Sequence, residues 1–163
     1  MNKSILRLDK AKSANRVYSL NGLLANFQIY FQNLRGLHWN IKRKNYFELH
    51  AKFEEFYTDS QLKVDDIAKR ILTLQGKPLH TFTDYIKRAS VPVGKNIFND
   101  EEGLELVVNS LSELLKIERE ILNISDEVND EGTNSMMSDF IAEQEKTIWM
   151  LSSWLGKKSF YYI

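Results

Sequence analysis

The chain has no cysteine. That removes disulfides, thiolate metal ligands and a cysteine nucleophile together, and it fits a reducing compartment. Its 2 prolines and 7 glycines are too few for an all-β chain, which needs a turn every ~8–12 residues. No apolar run approaches the ~18 residues of a membrane span, and the first ten residues lack the apolar stretch of a signal peptide. A cytoplasmic protein is the expectation. Charge of one sign is also missing: 22 basic residues balance 22 acidic ones. A dedicated nucleic-acid binder carries a basic excess, so any DNA contact would have to come from a local patch. Lys3, Arg7, Lys10, Lys12 and Arg16 near one end, with Lys157 and Lys158 near the other, are the candidates.

What is present is helical periodicity. Leu20, Leu24, Phe27, Phe31, Leu34 and His38 recur at steps of four and three, one face of an α-helix from about residue 16 to 40. A second helix is expected from about 46 to 75 on the stripe Phe53, Phe56, Ser60, Val64, Ile67, Ile71 and Leu74, stopped by Gly76 and Pro78. A long connection follows, with a small helical piece near 81–88. A third helix starts near Asp100 with Leu104, Val107, Val108, Leu111, Leu114, Leu115, Glu118 and Leu122. A polar turn over 129–134 leads to a fourth, 135–155, on Met136, Phe140, Glu143, Thr147, Met150 and Trp154. Residues 1–15 read as a loose tail, 16–156 as one all-α domain and 157–163 as a second tail of aromatic character. Two helical hairpins joined by one long crossover match the topology of a ferritin-like four-helix bundle.

The second helix carries polar groups in line. His50 and Glu54 are four apart, Asp65 and Lys69 are four apart, and Glu54 to Asp65 spans eleven residues, about three turns. Imidazole nitrogen and carboxylate oxygen suit iron, manganese or zinc, and His38 adds a second imidazole from the first helix. The same pattern also describes an ordinary solvated face, where pairs four apart contribute only a few tenths of a kcal/mol. One stripe on one helix cannot surround an ion.

Gly36-Leu37-His38-Trp39-Asn40 resembles the Dps family of ferritin-like proteins. The likeness continues through Phe47-Glu48-Leu49-His50, Phe53-Glu54-Glu55-Phe56-Tyr57, Asp65-Asp66-Ile67-Ala68-Lys69-Arg70-Ile71, Gly76-Lys77-Pro78 and Thr147-Ile148-Trp149-Met150. The resemblance implies a hollow shell of twelve subunits that oxidises Fe(II) with peroxide or oxygen, stores the ferric product and protects against oxidative stress. It implies a ferroxidase centre shared across a two-fold axis, with histidines from one subunit and carboxylates from the other. Residue by residue, the histidines are His38 and His50, the carboxylates Glu54 and Asp65, and Trp39 is the tryptophan beside the site. Some members bind DNA. Iron entry in the family uses acidic three-fold pores, for which Asp126 and Glu131 are the matching residues, the last family position falling on Ser135.

Two positions depart from the family pattern. Glu54 replaces an aspartate, keeping the carboxylate and adding one methylene of reach. Lys69 replaces a glutamate that is normally an iron ligand. An ammonium offers donors and no lone pair, and its charge repels a cation. It either pairs with Glu54 or Asp65 in the metal's place, or swings its long stem away and leaves His38, His50, Glu54 and Asp65 as a weaker site. A shell protein without rapid ferroxidase activity is therefore the alternative to a working enzyme, and a DNA-protecting protein is a third.

Overall fold

The computed structural model describes residues 3–156, so the aromatic 157–163 segment with Lys157 and Lys158 lies outside the described residues. Five helices follow in order: α1 (Lys10–Asn40), α2 (Tyr46–Thr73), α3 (Phe82–Arg88), α4 (Asp100–Asp126) and α5 (Glu131–Leu155). The long helices α1, α2, α4 and α5 form the bundle, and α3 rides in the crossover against α1. No strand occurs among the described residues, and no helix there is long and apolar enough to cross a membrane.

The core follows the apolar stripes. Leu20, Leu24, Phe27 and Leu34 of α1 meet Phe53, Ile67 and Ile71 of α2, with Leu104, Val107, Leu111 and Leu114 from α4. On α5 the buried stripe is Met137, Phe140, Ile141, Gln144 and Leu151. It lies beside the expected one: Met150 and Trp154 are 41% and 48% exposed, and Glu143 faces outward. Large apolar residues on both faces of α5 make its period ambiguous, and packing selects the narrower stripe.

The crossover is stitched to α1 by three asparagines. Asn21 Oδ1 accepts from the Leu79 N–H at 2.8 Å and its amide donates to the Lys77 carbonyl at 3.0 Å. Asn26 Oδ1 accepts from the N–H groups of Ser90 and Val91. Asn33 donates to the Pro92 carbonyl at 2.7 Å and accepts from the Gly94 N–H at 2.9 Å. Extended backbone that lacks a ladder of its own is satisfied by side-chain amides.

Three boundaries differ from expectation. The first helix begins at Lys10, because Asp9 caps it by accepting from the Ala11 N–H at 2.9 Å. α2 closes at Thr73 with Gln75, not Gly76, in the left-handed region at φ 65°. Gly76 serves a close approach: a Cβ there would meet both Val17 methyls at 2.5 and 2.6 Å. α5 begins at Glu131, so Gly132 is helical, and a Cβ on it would strike the Arg70 guanidinium at 2.7 Å.

That guanidinium belongs to a buried charge cluster. Asp130 accepts from the Thr133 N–H as the cap of α5. It pairs with Arg16 Nε at 2.8 Å and with Arg70 Nη2 at 2.5 Å, and Arg70 Nε donates to Thr133 Oγ1 at 2.9 Å. Arg16 is wholly buried, so it is a structural residue and unavailable to DNA. Burial alone would push the Asp130 carboxyl up; the Thr133 hydrogen bonds and the charges of Arg70 and Arg16 outweigh it and hold the carboxyl below its ordinary value.

A second interior carboxyl goes the other way. Glu118 is fully buried, and burial pushes it up to about 8 against the pull of the Gln144 amide and the Lys63 charge. The Gln144 amide nitrogen donates to Glu118 Oε1 at 2.7 Å, while Glu118 Oε2 and Gln144 Oε1 are both left without a partner. An unpartnered Oε2 in that interior fits a neutral carboxylic acid.

Asp130→Asn should therefore destabilise the fold by about 3–5 kcal/mol, since it leaves buried guanidinium charge unpaired. Chemical denaturation at neutral pH checks this. The contribution is present above the ordinary aspartate range and is lost as pH falls through the depressed folded value. Glu118 has the opposite sign: its folded value lies above its unfolded one, so it subtracts stability as pH rises from about 4.5 to about 8. Glu118→Gln should be near neutral at pH 5 and stabilising at pH 9 by on the order of a few kcal/mol. A gain independent of pH would contradict a buried proton.

Candidate metal centre

His38 sits in the last turn of α1 and His50 in the second turn of α2, on either side of the 41–45 turn. They form a reciprocal pair. His38 Nδ1 donates to the His50 carbonyl at 2.7 Å and His50 Nδ1 to the His38 carbonyl at 2.8 Å. A carbonyl oxygen only accepts, so each Nδ1 carries the proton. Each Nε2 then keeps a free lone pair, the arrangement of a metal-ligating histidine whose other nitrogen is anchored. The rings stack with centroids 3.7 Å apart and planes at 18°. Tyr46 stacks on His50 at 5.0 Å and 23°, and Tyr57 meets His38 edge-on at 5.4 Å and 83°.

The other expected ligands do not join them within one chain. Glu54 is one turn beyond His50 and exposed. Asp65 lies fifteen residues beyond His50 on the same helix, about 22 Å along its axis. Among the described residues no group of three or more histidine, aspartate or glutamate side chains converges as a metal cage. A single chain keeps its imidazoles at one end of α2 and Asp65 well along the helix.

Asp65 already has a cationic partner. Lys69 Nζ lies 2.5 Å from Asp65 Oδ2, with both side chains open to solvent at 70% and 60% exposure. The hydrogen bond to Asp65, then its charge, raises the Lys69 ammonium above its ordinary value, so it keeps its proton. Lys69 reaches along its own helix to Asp65 while staying open to solvent. Trp39 is 58% exposed, and the Arg35 guanidinium sits 4.8 Å over its ring.

Asp126 and Glu131 flank the α4–α5 turn, and both are exposed, as is Ser135. Asp130 between them is turned inward to Arg16 and Arg70. Lys3, Arg7, Lys10 and Lys12 are exposed near the start of α1. Sequence reasoning missed Tyr46 and Tyr57. Tyr46 stands four residues before His50 and Tyr57 seven after it, so helical spacing held the signal.

Comparisons with known proteins bear on the fold and the family. The family model described as a ferritin-like domain matches residues 18–159. A protein of Porphyromonas gingivalis named DNA protection during starvation protein is 39% identical over 92% of this chain and 94% of its own length. General stress protein 20U of Bacillus subtilis is 34% identical over 88% of this chain and 99% of its own. The crystal structure of a Vibrio cholerae O1 protein, described as a Dps protein within a broad superfamily of ferritin-like diiron-carboxylate proteins, superposes with a TM-score of 0.93 at 46% identity, covering 95% of this chain and 98% of that one.

Proposed function

The chain belongs to the Dps family of ferritin-like proteins, and from that premise we propose that it binds Fe(II), oxidises it slowly and stores the ferric product inside a hollow cytoplasmic shell of its own copies. The observation that carries the reading is the His38–His50 pair, whose anchored Nδ1 atoms leave two Nε2 lone pairs for a metal. Neutral imidazole and carboxylate are a donor set for iron, with zinc or manganese as substitutes.

In this reading the centre forms between two copies related by a two-fold axis. One supplies His38, His50 and, one turn beyond, Glu54, and the other supplies Asp65. The separation of about 22 Å between His50 and Asp65 along α2 supports such sharing, because no bend of one straight helix would unite them. Exposed Trp39, Phe47, Leu62, Leu72, Phe82 and Trp149 support assembly as well; a lone domain seldom leaves so much large apolar surface in water. Asp126 and Glu131 would then line an acidic entry, where converging negative charge concentrates cations.

The imidazoles hold the substrate ion, and the carboxylates offset its charge as it becomes Fe(III). Each peroxide accepts one electron from each of two Fe(II) ions and, with two protons, leaves as two waters. Lys69 opposes this. Its ammonium neutralises Asp65 and repels an incoming dication, so the centre binds iron weakly and turns over slowly. The Asp65–Lys69 pair is open to water, where ion pairs are weak and exchangeable, so the site is hindered and not abolished.

Anaerobic Fe(II) titration followed by peroxide, with Fe(III) absorbance as the readout, separates the outcomes. Wild type should oxidise iron slowly, Lys69→Glu should speed it by about tenfold or more, a change on the scale of other metal-site substitutions, and a His38→Ala, His50→Ala double variant should lose it. Rapid stoichiometric oxidation by wild type, unchanged in Lys69→Glu, would sink the role given to Lys69.

A further inference from the structure

We propose that Tyr46 and Tyr57 are positioning residues that hold the His38–His50 ring pair in one orientation, with both Nε2 atoms presented as metal ligands. The proposal rests on the reading of these histidines as ligands.

The hydrogen bonds alone leave a freedom. Each imidazole is tied at Nδ1 only, and one bond lets the ring swing about its axis and carry Nε2 with it. A ligating nitrogen must stay within a few tenths of an ångström and ~10–20° of its working geometry. The faces and edges of the rings must therefore be restrained by something else.

Neighbouring aromatic rings supply the restraint from both ends. His50 is stacked upon by His38 at 3.7 Å and by Tyr46 at 5.0 Å, all three planes within 18° and 23° of their neighbours. His38 is met edge-on by Tyr57 at 83°. Tyr57 is itself braced by Phe31 at 5.9 Å and 88°, and Tyr46 by Phe47 at 5.3 Å and 77°. The row Phe31, Tyr57, His38, His50, Tyr46, Phe47 is continuous. Tyr46, His50 and Tyr57 all stand on α2, at helical spacings of four and seven, so one rigid element fixes clamp and ligand together.

Stacked and edge-to-face rings resist rotation because tilting loses contact area and the favourable alignment of ring quadrupoles. The restraint needs an aromatic ring and not a phenol hydroxyl. Phenylalanine should therefore replace either tyrosine without loss, and alanine should not.

Two measurements test this on the full-length protein. The first needs no metal: magic-angle-spinning 15N spectra of histidine-labelled protein carrying His80→Gln, which removes the third imidazole. Wild-type and Phe variants should show a single Nδ1–H tautomer for both rings. In Tyr46→Ala and Tyr57→Ala the unclamped rings should swing, break the carbonyl bonds that select that tautomer, and show mixed tautomers. The second is Co(II) titration followed by its visible absorption. Each alanine variant should bind about 10–100-fold more weakly, as for other groups that orient a ligand, and each phenylalanine variant should match wild type. Circular dichroism identifies a variant that fails to fold, in which case Tyr46→Leu and Tyr57→Leu replace it. Single tautomers and wild-type affinity in the alanine or leucine variants overturn the proposal. Phenylalanine variants as weak as alanine overturn it too, since the hydroxyl would then be the active part. Co(II) binding unaffected by His38→Ala would instead defeat the ligand reading, leaving the tautomer spectra to judge the clamp.

Discussion

A single buried carboxylate, Asp130, holds three helices in register. It caps α5, pairs with Arg16 near the start of α1, and pairs with Arg70 in the last turn of α2. Neither the two guanidinium groups nor the carboxylate would be stable there alone, since a lone buried charge is far costlier than a paired one. The cluster therefore specifies an arrangement as well as contributing stability. If α5 slid by a residue, the cap and both ion pairs would be lost together. Gly132 leaves the space through which Arg70 reaches Asp130, so a backbone detail of α5 answers to a side chain of α2. The same inward turn of Asp130 leaves Asp126 and Glu131 as the exposed acids on either side.

Asp130 and Asp65 each hold a cation at 2.5 Å, with different consequences. Asp130 is sealed off with Arg70, and Asp65 lies open to solvent with Lys69. Solvent screens the second pair and competes for each partner. The buried pair is a part of the architecture, while the exposed pair is a contact that another cation can enter. This asymmetry is why a lysine among candidate ligands is compatible with a weakened site rather than an absent one. The bundle interior holds a third acid, Glu118, whose burial favours the neutral form; it accepts from the Gln144 amide beside a Lys63 ammonium held by Asp59 and Glu143.

Helical periodicity made the two-hairpin topology and most of the core legible in the sequence, because one buried face per helix is a one-dimensional signal. It failed where polar residues are buried. Arg16 looked like the edge of a solvated tail, and only its distant partner Asp130 explains why it is buried. Gly76 looked like a helix stop and Gly132 like part of a polar turn, whereas each is small because a side chain from another helix passes it. On α5, tryptophan and methionine are apolar in the sequence yet half exposed in the fold. Of the candidate site, the twelve-residue spacing of His38 and His50 was visible, but their exchange of hydrogen bonds depends on how α1 and α2 meet, which no local pattern encodes.

The geometry of that meeting explains why no cage of donors closes within one chain among the described residues. The 41–45 turn brings the two imidazoles face to face at one end of the hairpin, and their Nδ1 atoms are spent on each other's carbonyls. What remains to them is two lone pairs, with no carboxylate of the same chain completing a cage among the described residues. Asp65 is carried away along α2 by the rigidity of the helix itself, since a straight helix fixes the separation of its residues. An antiparallel second copy of α2 would reverse that displacement and return a carboxylate to the imidazoles. Helix rigidity thus separates the donors in a monomer, and the proposed two-fold pairing is what would unite them.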